Sequence, residues 1–185
     1  DLAITDHTPG FGSAAKYIAA SIGEIRRDST VYDLKSVTVV EIMGRNAGWL
    51  TAAAALAQTD TSLGADLIYL PEAVFDTDAF LIRVGELVRE RGNIIVAVSE
   101  GIKNADGKYI SESTTYSDKA DSFGHSALGG TAARLSAMIV AKLGIKSRGI
   151  ELSTLQRCAS HICSLCDINE AYDAGAEGVR RAFAG

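Results

Sequence analysis

Short runs of β-branched and aliphatic residues alternate along this chain with longer, alanine-rich stretches. Four of the runs predict strands, at residues 37–42, 66–70, 93–98 and 149–152. Each run is almost continuously apolar, as in strands that helices cover on both faces. Alternation of such strands with helices is typical of α/β proteins with a mostly parallel sheet. We therefore expect a three-layer α/β sandwich.

The intervening stretches predict six helices. Their expected ranges are 12–27, 47–58, 77–91, 131–143, 159–166 and 169–184. Glycines 129–130 precede the fourth helix and Asp167 precedes the sixth, and both are suitable helix starts. Residues 101–128 are polar, rich in Ser, Asp and Gly, and lack any period. A segment of that length predicts a surface excursion of the kind that often forms a lid or binding loop.

Composition narrows the class of protein. The chain has 185 residues, 47% of them apolar, which suits one soluble globular domain. Its net charge of −5 argues against a general nucleic-acid or membrane-surface partner, so an anionic ligand needs a few placed arginines. Three cysteines within residues 158–166 favour a reducing compartment, and we expect the cytoplasm. No apolar run is long enough to span a membrane.

The strongest local feature is a strand that runs into a glycine-flanked turn and then a helix, over residues 39–49. In α/β sheets ligands bind at the carboxyl ends of strands. Gly44 would let the backbone approach a ligand, and Arg45 would supply a charge for phosphate. A plain turn with an exposed arginine is about equally compatible with the spacing. Glu100 ends another strand and could bind sugar hydroxyls, although the pattern alone favours a solvated acid.

Several other residues could carry chemistry. Arg148 and Arg157 lie too far apart on a straight strand to grip one ligand, so they would serve different parts of a site or different subunits. The pattern alone favours surface charges. A Gly/Thr-rich loop at 5–13 is a weak anion-site signal. Zinc or iron–sulfur ligation is conceivable for a set of Cys and His side chains, but we expect buried thiols on one continuous helix; the set is Cys158, His161, Cys163 and Cys166. Trp49 is expected in the core.

The string VVEIMGRNAGW at 39–49, with its Met-Gly-Arg core, resembles the signature by which phosphofructokinases hold fructose 6-phosphate. The opening DLAIT resembles the end of that family's Thr-Ile-Asp-Asn-Asp motif. Glu100, Arg148 and the pair Gln156-Arg157 then follow in the family's order. The wording TDHTPGFGSA and MGRNAGW is more similar to the long and pyrophosphate-dependent branch than to short bacterial allosteric enzymes.

The resemblance implies a role for each matched residue. Met43, Gly44 and Arg45 would contact the sugar phosphate, and Arg45 would also neutralise charge during phosphoryl transfer. Glu100 would bind sugar hydroxyls, Arg157 the 6-phosphate, and Arg148 a neighbouring subunit's site. The chain departs from the short bacterial pattern at three places: Thr154 replaces a histidine, Ser36 an intersubunit arginine, and Cys158-Ala159 two glycines.

By the same resemblance, residues 1–185 would form the fructose 6-phosphate-binding part of a 6-phosphofructokinase. The catalytic base and the donor-binding part would lie upstream of Asp1, so the chain alone would at best bind the sugar phosphate. The intact enzyme would use Mg²⁺ with ATP or pyrophosphate and would form a homo-oligomer, a dimer or tetramer. The alternative is a non-catalytic sugar-phosphate-binding or regulatory module that kept the fold.

Overall fold

The computed structural model describes residues 7–31, 33–113 and 130–185. The strands are β1 Ser36–Ile42, β2 Leu67–Tyr69, β3 Asn93–Ser99 and β4 Lys146–Glu151. The α-helices are α1 Phe11–Ser29, α2 Trp49–Ala52, α3 Thr77–Arg91, α4 Thr131–Leu143, α5 Leu155–Cys158 and α6 Leu165–Ala184. Short 3₁₀ segments lie at Ala53–Ala57, Ile110–Ser113 and Ser160–Ile162.

The described strands form one parallel sheet in the order β2-β3-β1-β4. In the register of β1 with β3, Ile42 lies opposite Ser99. In the register of β1 with β4, Glu41 lies opposite Glu151. Because all pairings are parallel, the carboxyl ends of three neighbouring strands meet at one edge of the sheet.

Helices cover both faces of the central strands. On β1, Val37 and Val39 pack with α3 and α4, while Val40 and Ile42 pack with α1 and the segment after α2. The side chains of β3 alternate in the same way. This period of two places an apolar layer on each side of the sheet. The expected three-layer α/β sandwich is confirmed.

The outer strands differ from the expectation that every strand is buried on both faces. That expectation holds for β1 and β3 and is wrong for β2, which is half-buried, and for β4, which is mostly exposed. β4 also begins earlier than expected, because the polar residues Lys146, Ser147 and Arg148 pair with β1. A strand at the end of a sheet has one neighbour, so polar side chains are compatible with it.

Two helices, α3 and α4, have the predicted limits. The predicted helix at 47–58 starts two residues late and continues as a 3₁₀ segment. Trp49, its first residue, is 74% exposed, so the expectation that it lies in the core is wrong.

The predicted helix at 159–166 is also wrong, because the backbone is non-helical at Ala159 and extended at Cys163. Cys158 and Cys166 are exposed and Cys163 is half-buried, so the expected buried thiols are wrong as well. The last helix begins at Leu165 instead of residue 169.

Helix α6 presents an apolar stripe to the surface. Its exposed large apolar residues are Leu165, Ile168, Tyr172, Val179 and Phe183. No α6 side chain is buried by the described parts of the chain. Among the described helices, none combines the length and apolar character needed to cross a membrane.

A buried ion cluster joins α1 to the amino end of the sheet. The carboxylate of Asp66 accepts hydrogen bonds from Arg26, Arg91 and the Ile95 amide, the last at 2.7 Å. Arg26 also donates to the carbonyls of Gly64 and Asn93. The side chains of Arg26 and Asp66 are 6% and 1% exposed. Such a pair is costly to break, because the remaining charge stays buried without its partner.

We predict that Asp66→Ala lowers the free energy of unfolding by about 3–5 kcal/mol, since it leaves the buried Arg26 guanidinium without its carboxylate partner. Urea denaturation followed by circular dichroism measures the change. The control is Glu86→Ala, which removes an exposed ion pair with Arg83 and should cost about 1 kcal/mol or less. Equal losses in the two variants would contradict this account of the cluster.

Candidate functional site

Three loops meet where the sheet's strands end. Residues 43–45 follow β1, Glu100 and Gly101 follow β3, and residues 152–157 follow β4. The chain leaves β1 towards one face of the sheet and leaves β3 towards α4 on the other. Neighbouring parallel strands whose connections diverge in this way leave a crevice at their carboxyl ends. The candidate site is this crevice.

The loops after β1 and β3 are interlocked by hydrogen bonds. The Gly44 amide donates to Glu100 Oε1 at 3.2 Å, and Ser99 Oγ donates to the Gly44 carbonyl at 2.7 Å. The Glu100 amide donates to the Ile42 carbonyl at 3.0 Å. Gly44 has a φ of 140°, a backbone conformation that favours glycine. The Met-Gly-Arg turn is therefore fixed against Glu100.

Gly101 brings the two loops into direct contact. A Cβ atom at this position would collide with the backbone carbonyl of Arg45. The loops can therefore lie this close only when residue 101 lacks a side chain. The glycine after Glu100 contributes to the site through the space it leaves empty.

Gln156 connects the third loop to the same turn. Its side chain is 2% exposed, and its Oε1 accepts a hydrogen bond from the Met43 amide at 3.4 Å. Its Nε2 has no hydrogen-bond partner among the described residues. A buried donor without a partner is costly, so this amide is suited to a ligand oxygen. The resemblance matched Gln156 together with Arg157 but assigned Gln156 no role.

The structure brings most of the sequence-predicted residues to this edge. Met43, Gly44, Arg45 and Glu100 lie together in the interlocked loops, and Arg45 is half-buried. Arg157 is exposed on α5, directly after Gln156.

Arg148 lies apart from these residues. It faces Thr38 in the register of β1 with β4, towards the amino end of the sheet. Arg148 and Arg157 therefore lie in different regions of the surface.

A cavity of about 940 Å³ adjoins the crevice on the α1 side. The residues that line it include Trp49, Gln156, Arg157 and Asp167. Large apolar side chains and a few polar groups therefore share its surface, as is usual in small-molecule sites.

The loop before α1 was a weak candidate for binding an external anion. Within its described part, Asp167 fills that role: it accepts from the Gly10 amide at 2.9 Å and from the Ser13 amide at 2.7 Å. The Ser13 hydroxyl also donates to it at 2.5 Å. These hydrogen bonds hold the pKa of Asp167 below its usual value. The partial positive charge at the start of α1 is thus neutralised by the carboxylate of Asp167, which belongs to the same chain.

Glu41 is a buried acid beside the site that sequence analysis did not single out. It is 5% exposed, and its Oε2 accepts a hydrogen bond from the Ala132 amide at 2.9 Å. Burial raises the pKa of Glu41 to about 7, and the nearby charges of Glu151 and Glu100 add to the increase. The amides of Ala132 and Gly130 act in the opposite direction. In the sequence Glu41 is one polar residue in an apolar strand, which gives no sign of its partner.

Two of the sequence features lie outside the described residues. They are the opening string DLAIT and residues 114–129 of the long polar stretch. The described part of that stretch includes the 3₁₀ segment Ile110–Ser113.

The fold and the loops define an α/β protein with its candidate ligand site at the carboxyl edge of a parallel sheet. The family model of phosphofructokinase matches residues 1–151, and the chain belongs to the phosphofructokinase family. It is 44% identical to the pyrophosphate–fructose 6-phosphate 1-phosphotransferase of Methylococcus capsulatus, and that alignment covers 100% of this chain and 44% of the relative. The enzyme of the same name from Xanthomonas campestris is 42% identical, with the same two coverages.

A solved structure agrees with these relatives. The crystal structure of pyrophosphate-dependent phosphofructokinase from Marinobacter aquaeolei superposes with a TM-score of 0.73 at 35% identity. The match covers 98% of this chain and 41% of that one. The chain therefore spans less than half the length of the relatives it matches.

We predict that Gly101→Ala destabilises the protein by about 1–3 kcal/mol, because the new Cβ forces the Arg45 backbone to move. The same variant should shift the amide resonances of Gly44 and Glu100. Gly85→Ala is the control, since apart from the neighbouring backbone of its own helix no atom lies within 4 Å of a Cβ at that position. It should stabilise the protein by up to about 1 kcal/mol. A neutral Gly101→Ala with unchanged amide resonances would contradict close contact of the loops.

We predict that Asp167→Ala costs about 1 kcal/mol at neutral pH, because α1 has no side-chain cap of its own. The folded-state pKa of Asp167 is lowered, so its contribution is present above the unfolded pKa of about 3.9. The contribution is lost as the pH falls through the folded value. Urea denaturation between pH 2 and 6 measures the difference between wild type and variant. Asp173→Ala is the control. Asp173 is an exposed residue of α6, so this variant should have nearly the same free energy of unfolding as wild type.

Proposed function

We propose that this chain is the fructose 6-phosphate-binding part of a 6-phosphofructokinase. The observation that carries the proposal is the Met-Gly-Arg turn locked to Glu100 at the carboxyl edge of a parallel sheet. In a chain that belongs to the phosphofructokinase family, those are the residues expected to hold the sugar phosphate.

The chemistry of the crevice suits a phosphorylated sugar. Arg45 and Arg157 are cations in a chain whose net charge is −5, and guanidinium groups match phosphate oxygens in geometry and charge. Glu100 keeps carboxylate oxygens beside the turn, where they can accept hydrogen bonds from sugar hydroxyls. Gln156 Nε2 offers a further donor to a ligand oxygen.

The reaction we propose is transfer of a phosphoryl group to the 1-hydroxyl of fructose 6-phosphate. The oxygen of that hydroxyl forms a bond to phosphorus, the bond from phosphorus to the leaving group of the donor breaks, and the hydroxyl proton passes to a base. We expect the base and the donor-binding groups in the part of the relatives' length that this chain does not span. The residues of the crevice contribute positioning and charge stabilisation, which are the main sources of catalysis in phosphoryl transfer.

Pyrophosphate is the donor we favour over ATP. The support is that the relatives at 44% and 42% identity are both pyrophosphate-dependent enzymes by name. The residues that would distinguish the two donors are expected outside these 185 residues.

Magnesium enters the proposal as the ion that accompanies the phosphoryl donor and neutralises its charge. Across residues 7–31, 33–113 and 130–185, no three His, Cys, Asp or Glu side chains lie together as ligands for a metal.

We also propose that the intact enzyme is a homo-oligomer in the cytoplasm. Arg148, Lys146 and Ser36 line a small cleft at the amino end of the sheet, away from the crevice. This position away from the crevice supports the role that the resemblance implies for Arg148, which is contact with the site of another subunit. The cytoplasm is supported by three free cysteines in one short segment.

Titration calorimetry of the full-length protein with fructose 6-phosphate tests the proposal. We predict that Arg45→Ala and Arg157→Ala each weaken binding about tenfold or more, since each removes a charge-assisted hydrogen bond to phosphate. Arg83→Ala is the matched control, because it removes the same charge from the exposed face of α3. It should leave the dissociation constant within about twofold.

The full-length protein should also form fructose 1,6-bisphosphate from pyrophosphate in a coupled assay. Binding without turnover by either pyrophosphate or ATP would favour the non-catalytic sugar-phosphate-binding module. No binding of fructose 6-phosphate would rule out both readings.

A further inference from the structure

Glu41 is a buried acid that the proposed reaction leaves without a role. It lies two residues before Met43 on β1, with its side chain on the face that α4 covers. A carboxylate at 5% exposure is costly unless it is hydrogen-bonded. It lies beside the crevice, so the groups to which it is hydrogen-bonded also lie close to the site.

The side chain of Glu41 completes the first turn of α4. That helix begins after Gly130, which has no side chain to accept a hydrogen bond from the free amides. Glu41 Oε2 accepts from the Ala132 amide instead, at 2.9 Å. The next residue back, Thr131, is fully buried and donates its hydroxyl to the Glu100 carbonyl at 3.4 Å. The start of α4 is thus tied to both β1 and Glu100.

The main chain of Glu41 reaches the third loop. Its carbonyl accepts a hydrogen bond from the Leu152 amide at 3.1 Å. Leu152 is buried and leads into the segment that carries Gln156 and Arg157. Glu41 therefore contacts the first turn of α4 and the segment after β4, and it lies on the strand that carries the Met-Gly-Arg turn.

The electrostatic surroundings of Glu41 are unusual for an acid. Glu151, its register partner on β4, and Glu100, at the end of β3, both disfavour its charge. From α4 it receives the backbone amides of Ala132 and Gly130, which favour the charge. Burial raises its pKa to about 7. The group that holds α4 thus changes its protonation close to neutral pH.

We propose that Glu41 is a positioning residue, which anchors the first turn of α4 to β1 and so fixes Glu100 relative to the Met-Gly-Arg turn for binding of the sugar phosphate. This inference rests on the proposed function. It assigns Glu41 no contact with the substrate, because its side chain is engaged with α4 on the covered face of the sheet.

Substitutions at residue 41 separate positioning from simple loss of a charge. In the full-length protein, Glu41→Leu removes the acceptor and should weaken fructose 6-phosphate binding about tenfold or more. Glu41→Gln keeps an acceptor of the same length for the Ala132 amide and should restore affinity to within about threefold of wild type. Thr131→Val removes the hydroxyl that donates to the Glu100 carbonyl, at nearly constant side-chain volume. It should also weaken binding of fructose 6-phosphate.

A spectroscopic measurement tests the hydrogen bond between the Ala132 amide and Glu41 without any ligand. The Ala132 amide resonance of the wild-type protein should move with pH around an inflection near 7, and this inflection should be absent in Glu41→Gln. The measurement remains informative even where Glu41→Leu fails to fold, because neither protein it needs carries that substitution.

The outcomes are distinct. Wild type that binds fructose 6-phosphate, with Glu41→Leu and Thr131→Val binding equally well, would overturn the positioning role and leave the proposed function intact. An Ala132 resonance that is the same in wild type and in Glu41→Gln at every pH would also overturn it, because the amide would then not sense the Glu41 carboxylate. Failure of wild type to bind would instead defeat the proposed function, while the titration would still report whether Glu41 holds α4.

Discussion

The pairing of β1 with β3 is the constraint on which the rest of the site depends. Its register brings Ile42 opposite Ser99, so the residues that follow must share a small volume. The absence of a side chain at Gly101 and the hydrogen bond from Gly44 to Glu100 make that proximity possible. The geometry of the crevice is therefore set by two buried strands in the middle of the sheet.

Two of the helices that border the site, α1 and α4, obtain their N-terminal hydrogen-bond acceptors from distant parts of the chain. Helix α1 begins after Gly10 and receives the carboxylate of Asp167, while α4 begins after Gly130 and receives that of Glu41. A local cap would stabilise each helix independently of the sheet. An acceptor from another element instead couples helix ends to tertiary packing, so these helix starts form only when the domain does.

Sequence patterns predicted the central elements well. The strands β1 and β3 have almost continuous apolar runs. Helix α3 begins after Asp76 and ends before Gly92, and helix α4 begins after Gly130 and ends before Gly144. The prediction failed between residues 155 and 168, where alanine and cysteine are compatible with a helix that the backbone interrupts. Trp49 and the three cysteines were assigned to the core by residue type, and tertiary structure leaves them half-buried or exposed.

The site itself was predictable only in part. The turn at 43–45 and Glu100 could be found because each follows an apolar strand and because the string resembles a known family. The contacts of Glu41, Gln156 and Asp167 could not be predicted, since each acts through a partner between 91 and 157 residues away in the chain. No local pattern in the sequence marks a hydrogen bond of that span.

The exposed strand β4 has a consequence for solubility. Among the described residues it pairs with β1 alone, and a strand with one free side invites a second molecule to add to the sheet. Lys146, Arg148 and Glu151 give this strand three exposed charges in six residues. A charged edge resists indiscriminate addition of a strand from another molecule, because the added strand would have to bring its side chains up against these charges.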